Sequence, residues 1–164
     1  MIYITLGTQN FKMDRLIDEI DRLIEINFLK ADEVVIQNGF SKQSKYAKCY
    51  KLIPQEDFNN IMKQATLIIC HGGTSSIIKG LSLNKKVIAI PRNPSLNEHV
   101  DNHQYEIVNT FVEKEHILTT DDLSMLRKKI IESQNFQPKS YEKKSNLSQY
   151  LFETIIKYLN EGKK

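Results

Sequence analysis

The chain has no tryptophan and only two cysteines, four prolines and six glycines in 164 residues. Cys49 and Cys70 lie 21 positions apart with no Cys-x-x-Cys spacing, which excludes a zinc knuckle and a disulfide framework and fits a reducing compartment. No apolar run approaches the roughly 20 residues of a membrane-spanning helix. The first residues, Met1-Ile2-Tyr3-Ile4-Thr5-Leu6-Gly7, lack the basic stretch of a signal peptide and read as a strand. Arginine is scarce, at four residues, and no RNP-like aromatic pattern accompanies it, which argues against a nucleic-acid binder. No Gly-Lys-Ser/Thr stands at Walker A spacing and no His-Glu-x-x-His is present, so neither a P-loop nor a zinc metalloprotease is indicated.

What is present is an ordinary globular composition, 40% hydrophobic and 26% charged, in a length that buries a core without disulfides or a structural metal. Charge is uneven. Residues 1–126 carry 14 Lys and Arg against 16 Asp and Glu, whereas residues 127–164 carry nine against four. A basic end suits an anionic membrane surface or an acidic partner, and equally a solvated helix face.

Short apolar runs alternate with helical periodicity. Strands are expected at 2–6, 33–37, 49–53, 67–70 and 86–90, and helices at 14–28, 54–64, 74–83, 99–110 and 121–132. Residues 134–146 are polar and read as a linker, followed by an amphipathic helix over 147–159. The alternation predicts an α/β fold, a Rossmann-like doubly wound parallel sheet with right-handed crossovers. Ligands of such sheets bind beyond the carboxyl ends of the strands, so the residues after each strand are the candidates.

Three of those segments carry chemistry. Cys70-His71-Gly72-Gly73-Thr74-Ser75-Ser76 places two glycines after a buried strand and hydroxyls at a helix start, an arrangement suited to a diphosphate, with His71 adding a hydrogen bond or a charge. The same residues also fit a plain capped strand-to-helix turn. The segment 91–104 is dense in Glu98, His99, Asp101, His103 and Gln104, side chains that hydrogen-bond sugar hydroxyls. His99 and His103 have the i,i+4 spacing of helical metal ligands, although a polar surface loop explains them as well. Gly7-Thr8-Gln9 is a further phosphate loop, weak alone.

The order of these segments, with Leu52-Ile53-Pro54-Gln55 before them and Asp101 to Gln104 after, resembles the donor-binding half of GT-B glycosyltransferases. It is most similar to stand-alone C-terminal halves such as the cytosolic catalytic subunit of the dolichol-linked N-acetylglucosaminyltransferase and its bacterial relatives in capsule and exopolysaccharide synthesis. The likeness covers about residues 1–133.

The resemblance implies a single GT-B half-domain over 1–133, a linker over 134–146 and a C-terminal helix within 147–164 that meets a partner near the membrane. It implies an inverting, metal-independent, cofactor-free transferase, peripheral at the cytoplasmic face. Such an enzyme moves a hexose or N-acetylhexosamine from a UDP-sugar to a lipid-linked saccharide, with a membrane-anchored acceptor-side subunit. A non-catalytic nucleotide-sugar-binding or enhancer subunit on the same fold is the alternative. Residue by residue, it implies the donor diphosphate at Gly7, Thr8, His71, Gly72, Gly73, Thr74 and Ser75. It implies the nucleoside at Phe40, Pro54 and Gln55, and the donor sugar at Glu98, Asp101, His103 and Gln104. The general base is Glu98, His99 or His103, or lies on the partner. Two positions depart from the family pattern: Lys79 stands where many relatives hold the ribose with Glu, and Leu52 where plant enzymes stack the base on Trp.

Overall fold

The computed structural model of the chain describes residues 1–141. The helix expected over 147–159 and the end of the expected linker lie outside the described residues. Six strands form one parallel sheet: β1 (Ile2–Thr5), β2 (Val34–Gln37), β3 (Lys48–Tyr50), β4 (Leu67–His71), β5 (Lys86–Ile90) and β6 (Leu118–Thr119). Their order, β3-β2-β1-β4-β5-β6, is that of a Rossmann sheet and bears out the expected doubly wound fold. The helices are α1 (Asp14–Glu25), α2 (Gln55–Gln64), α3 (Thr74–Ser82), α4 (His103–Glu113) and α5 (Leu126–Asn135).

The strands are apolar throughout because the sheet is covered on both faces. In register, Ile4, Ile69 and Ile88 point to one side and join the cluster with Leu16, Ile17 and Ile20 of α1 and Leu126 and Ile130 of α5. The alternate positions Tyr3, Ile68 and Val87 point to the other side, with Met62 of α2, Ile77 and Leu81 of α3, and Val108 and Phe111 of α4. This two-residue period divides one hydrophobic run between two cores.

The central elements match the sequence reading within a residue or two, and the differences lie toward the C-terminal edge. The helix expected from position 99 begins at His103, because Pro94–Leu96 forms a 3-10 turn, Asn97 is left-handed (φ 57°) and the Asp101 carboxylate accepts the His103 N–H. The helix expected from position 121 begins at Leu126, after a 3-10 turn over Leu123–Met125 in which the Asp122 carboxylate accepts the Ser124 N–H. β6 is two residues long, too short for periodicity to reveal. The folded unit does not stop at residue 133. Phe136 packs on the α1/α5 core, the Lys139 N–H donates to the Glu115 carbonyl, and the Tyr141 ring lies 6.3 Å from that of Phe111.

Candidate functional site

β1 and β4 are neighbours whose chain continues in opposite directions across the sheet, so their carboxyl ends splay apart and leave a crevice. The crevice is a cavity of about 700 Å³. Its walls come from the first loop (Gly7, Thr8, Gln9), the β4–α3 turn (His71, Gly72, Gly73, Thr74, Ser75, Ser76) with Lys79 beyond it, and the start of α4 (His99, His103, Gln104, Ile107). Thr5, Gln37, Ile53, Gln55 and Phe58 complete it. Among the described residues, none that lines it is an Asp or Glu.

The β4–α3 wall is built of open backbone. α3 starts after Gly73 with no side-chain cap, and the N–H groups of Thr74 and Ser75 have no partner among the described residues. Free N–H groups at a helix start carry the positive end of its dipole and attract an anion.

His71 is the post around which this wall closes. It is 8% exposed, and its Nδ1 lies 3.3 Å from the Thr5 carbonyl oxygen, which only accepts. The ring hydrogen therefore sits on Nδ1 and leaves Nε2 as an acceptor. Burial, with the Arg92 guanidinium next, pulls its pKa from 6.5 down to about 4, so the ring is neutral at neutral pH. Gly7 (φ +74°) and Gly73 sit against this ring: a Cβ on Gly7 would come within 2.8 Å of Nε2, and one on Gly73 within 2.4 Å. The charge or donated hydrogen bond expected of His71 is thus not what the ring offers; it holds two phosphate-type loops at contact distance.

The β5–α4 wall is a network bonded largely within itself, with Arg92 Nε the one buried side-chain atom in it that lacks a partner among the described residues. Arg92, just after β5, is 0% exposed; its Nη2 donates to the Leu6 carbonyl at 2.5 Å and its backbone N–H to Gln104 Oε1 at 3.1 Å. Burial lowers its pKa and the Glu98 carboxylate opposes that shift. Glu98 is itself 5% exposed: Oε1 accepts from Arg15 Nε at 2.8 Å and Oε2 from the Asn93 N–H at 2.9 Å. Both oxygens are occupied and the residue is off the described cavity wall, where Glu98 braces the loop between Asn93 and Arg15.

Other sequence candidates sort as follows. Gln104 lines the cavity, and with Oε1 spent on Arg92 its amide N–H groups are the end left over. His99 lines it as well, stacks at 5.3 Å on Phe11 and has Nδ1 3.0 Å from Asp101 Oδ1, so its Nε2 is the nitrogen left to accept a proton. Asp101 stays off the wall; its pKa is lowered, first by the His103 N–H. His103 lines the cavity from the first residue of α4, beside Glu106. His99 precedes that helix, so the two histidines do not share a helical face. Among the described residues no cluster of His, Cys, Asp and Glu is placed to hold a metal ion. Phe40, 41% exposed under the Lys51 ammonium, and Pro54 are not on the wall, whereas Gln55 is. Ile53 and Phe58 supply the apolar surface expected of Phe40. Sequence reasoning missed Gln37, which its place at the end of β2 would have indicated, and Phe58 and Ile107, whose helical spacing reads as core.

Comparison with known proteins agrees with this geometry. Residues 1–159 match the glycosyltransferase family 28 C-terminal domain. The chain is 37% identical over 67 residues to the UDP-N-acetylglucosamine transferase subunit ALG13 of Candida glabrata, a match covering 38% of this chain and 32% of that protein. It therefore spans about a third of that curated relative. In fold it is similar to the solution structure of ALG13 (TM-score 0.59, 18% identity, 94% of this chain and 96% of that one). It is similar also to the kitacinnamycin glycosyltransferase (TM-score 0.62, 16% identity, 82% of this chain and 34% of that one). Among the described residues no helix is long and apolar enough to cross a membrane.

Proposed function

Because the chain belongs to the family of the glycosyltransferase family 28 C-terminal domain, we propose that it is the donor-binding, catalytic subunit of an inverting glycosyltransferase. The donor is a UDP-sugar, a hexose or N-acetylhexosamine, and the acceptor a lipid-linked saccharide in polysaccharide synthesis. A membrane-anchored partner supplies the acceptor side, and the chain sits at the cytoplasmic face of the membrane through it. Two features support the partner: the relative is named a transferase subunit, and the described residues form one GT-B half. Residues 147–164 lie outside the described residues, and we assign them to contact with the partner.

The observation that carries the reading is the carboxylate-free cavity at the β1/β4 switch point, with the uncapped start of α3 as one wall. A diphosphate placed there meets the Thr74 and Ser75 N–H groups, the Thr8 and Ser76 hydroxyls and the close backbone of Gly7 and Gly73. The acceptor hydroxyl attacks the anomeric carbon, the bond to the diphosphate oxygen breaks with inversion, and the charge gathering on the leaving UDP is held by these groups. The hydroxyl proton passes to a base. Of the three candidates, His99 suits this best: it lines the cavity, and the Asp101 carboxylate 3.0 Å from Nδ1 favours the tautomer with Nε2 unprotonated over the longer 3.4 Å contact from the Asp101 N–H. The Gln104 amide meets a donor hydroxyl, and Ile53, Gln55 and Phe58 flank the nucleoside.

The test is calorimetry of the full chain with UDP, GDP and dTDP in EDTA. The reading expects binding, UDP tightest, with no requirement for Mg²⁺. Binding that appears only with Mg²⁺, or none to any diphosphate, counts against it.

A further inference from the structure

Once His71 is neutral, the donor cavity has an unexpected charge inventory. Among the described residues its wall carries no carboxylate. Of its three histidines, His71 titrates near 4, His99 faces Asp101 and His103 faces Glu106. Arg92 is not a lining residue and spends its guanidinium on the Leu6 and Glu98 carbonyls. Lys79 is then the one Lys or Arg on the described wall, and its ammonium makes no ion pair or hydrogen bond among the described residues.

Its position in α3 decides what it reaches. Lys79 follows Ser75 by four residues and Ser76 by three, and all three line the cavity. Residues at these spacings stack on one helix face, and helical side chains lean back toward the N-terminus. The Lys79 side chain therefore extends over the first turn of α3, where the unpartnered N–H groups of Thr74 and Ser75 stand. A full charge and a helix start thus line one cavity, with no acidic residue among its described lining to neutralise them.

Resting on the donor-site reading above, we propose that Lys79 is the side-chain cation that holds the donor's diphosphate. The role differs from that of a carboxylate at this position: an ammonium donates to phosphate oxygens, whereas a carboxylate accepts from ribose hydroxyls. Lys79 is thus a specificity-determining residue that favours a nucleoside diphosphate over the monophosphate.

The experiment is calorimetric titration of the full chain and of Lys79→Gln, Lys79→Arg and Lys79→Glu with UDP and with UMP, in EDTA, at two salt concentrations. Gln, Arg and Glu are all good helix formers at this half-buried position, and circular dichroism checks each fold. Loss of one charge-assisted contact predicts a rise in the UDP Kd of roughly tenfold or more for Lys79→Gln, with a smaller rise for UMP and a shallower salt dependence. Lys79→Arg stays within about threefold of the parent, and Lys79→Glu binds UDP more weakly than Lys79→Gln. Unchanged UDP affinity in Lys79→Gln overturns the proposal. So does tighter UDP binding by Lys79→Glu than by Lys79→Gln, which makes the position a hydroxyl acceptor site. Failure of the donor-site reading has a different signature, a parent chain that binds no UDP at all, and it takes this proposal with it.

Discussion

The two main walls of the cavity are built on opposite plans. The β4–α3 wall leaves its polar groups open: an uncapped helix start, two glycines at contact distance and an unpaired Lys79. The β5–α4 wall bonds mostly within itself, with Arg92, Glu98, Arg15, Asn93 and Gln104 bonded to one another or to nearby carbonyls and Arg92 Nε left over. Open donors are tolerable in a folded chain only where solvent or a ligand reaches them. The contrast therefore separates the half of the site that waits for an anion from the half that fixes geometry. Substitutions in the first should cost affinity at little cost in stability, and those in the second the reverse.

The largest expected effect is on the internally bonded wall. Arg92→Ala leaves the Leu6 and Glu98 carbonyls without their donor and empties the space of a fully buried side chain, which costs about 2–5 kcal/mol of unfolding free energy, read as a drop in the urea midpoint. A midpoint within experimental error of the parent would break the comparison from that side. On the open wall, Gly73→Val drives a side chain into the His71 ring, and the UDP Kd should rise by about a hundredfold or more, as for a lost set of charge-assisted contacts. The urea midpoint of that variant should fall much less than that of Arg92→Ala.

His71 joins the first loop to the β4–α3 wall and gives a pH signature. Its folded pKa of about 4 lies below the ordinary 6.5, so the unfolded chain takes up the proton first. Its contribution to stability is intact above about pH 6.5, declines as pH falls toward 4 and levels off below that, for a total of up to about 3 kcal/mol. In His71→Gln this part of the acid dependence should vanish, seen as a flatter plot of unfolding free energy between pH 6.5 and 4. A profile parallel to the parent's would mean that the ring is not held neutral. The smallest effect belongs to Ser76→Ala, which keeps the backbone and removes only a hydroxyl. It should weaken UDP by roughly threefold to tenfold in the same calorimetry.

Much of this was legible in the residues. The run Leu67-Ile68-Ile69-Cys70, ended by His71-Gly72-Gly73, announces a strand buried on both faces and a phosphate-type turn, and the structure has both. The loop residues of the first and second phosphate segments converge on one cavity because parallel strands end on the same side of the sheet. Less legible were properties that depend on contacts distant in sequence. Glu98 reads as a candidate acid or base, yet Arg15, 83 residues away, claims its carboxylate. His71 reads as a charge, yet burial and the Arg92 guanidinium keep it neutral against the opposing pull of the Thr5 carbonyl. Phe40 and Phe58 are equally aromatic in sequence, and only the turn of α2 toward the crevice distinguishes the one on the wall from the one outside it. The start of α4 was misplaced because Asn97 and Asp101 supply local turn contacts that compete with helix over 94–102.

The most direct test of the central claim is a titration of the uniformly ¹⁵N-labelled full chain with UDP in EDTA, followed by amide chemical shifts. The account predicts that the largest shifts fall on Gly7, Thr8, Gly73, Thr74 and Ser75, with the Asn93 amide, already bonded to Glu98, moving little. Shifts concentrated on the outer faces of α1 and α5, or saturable shifts that require Mg²⁺, would contradict it.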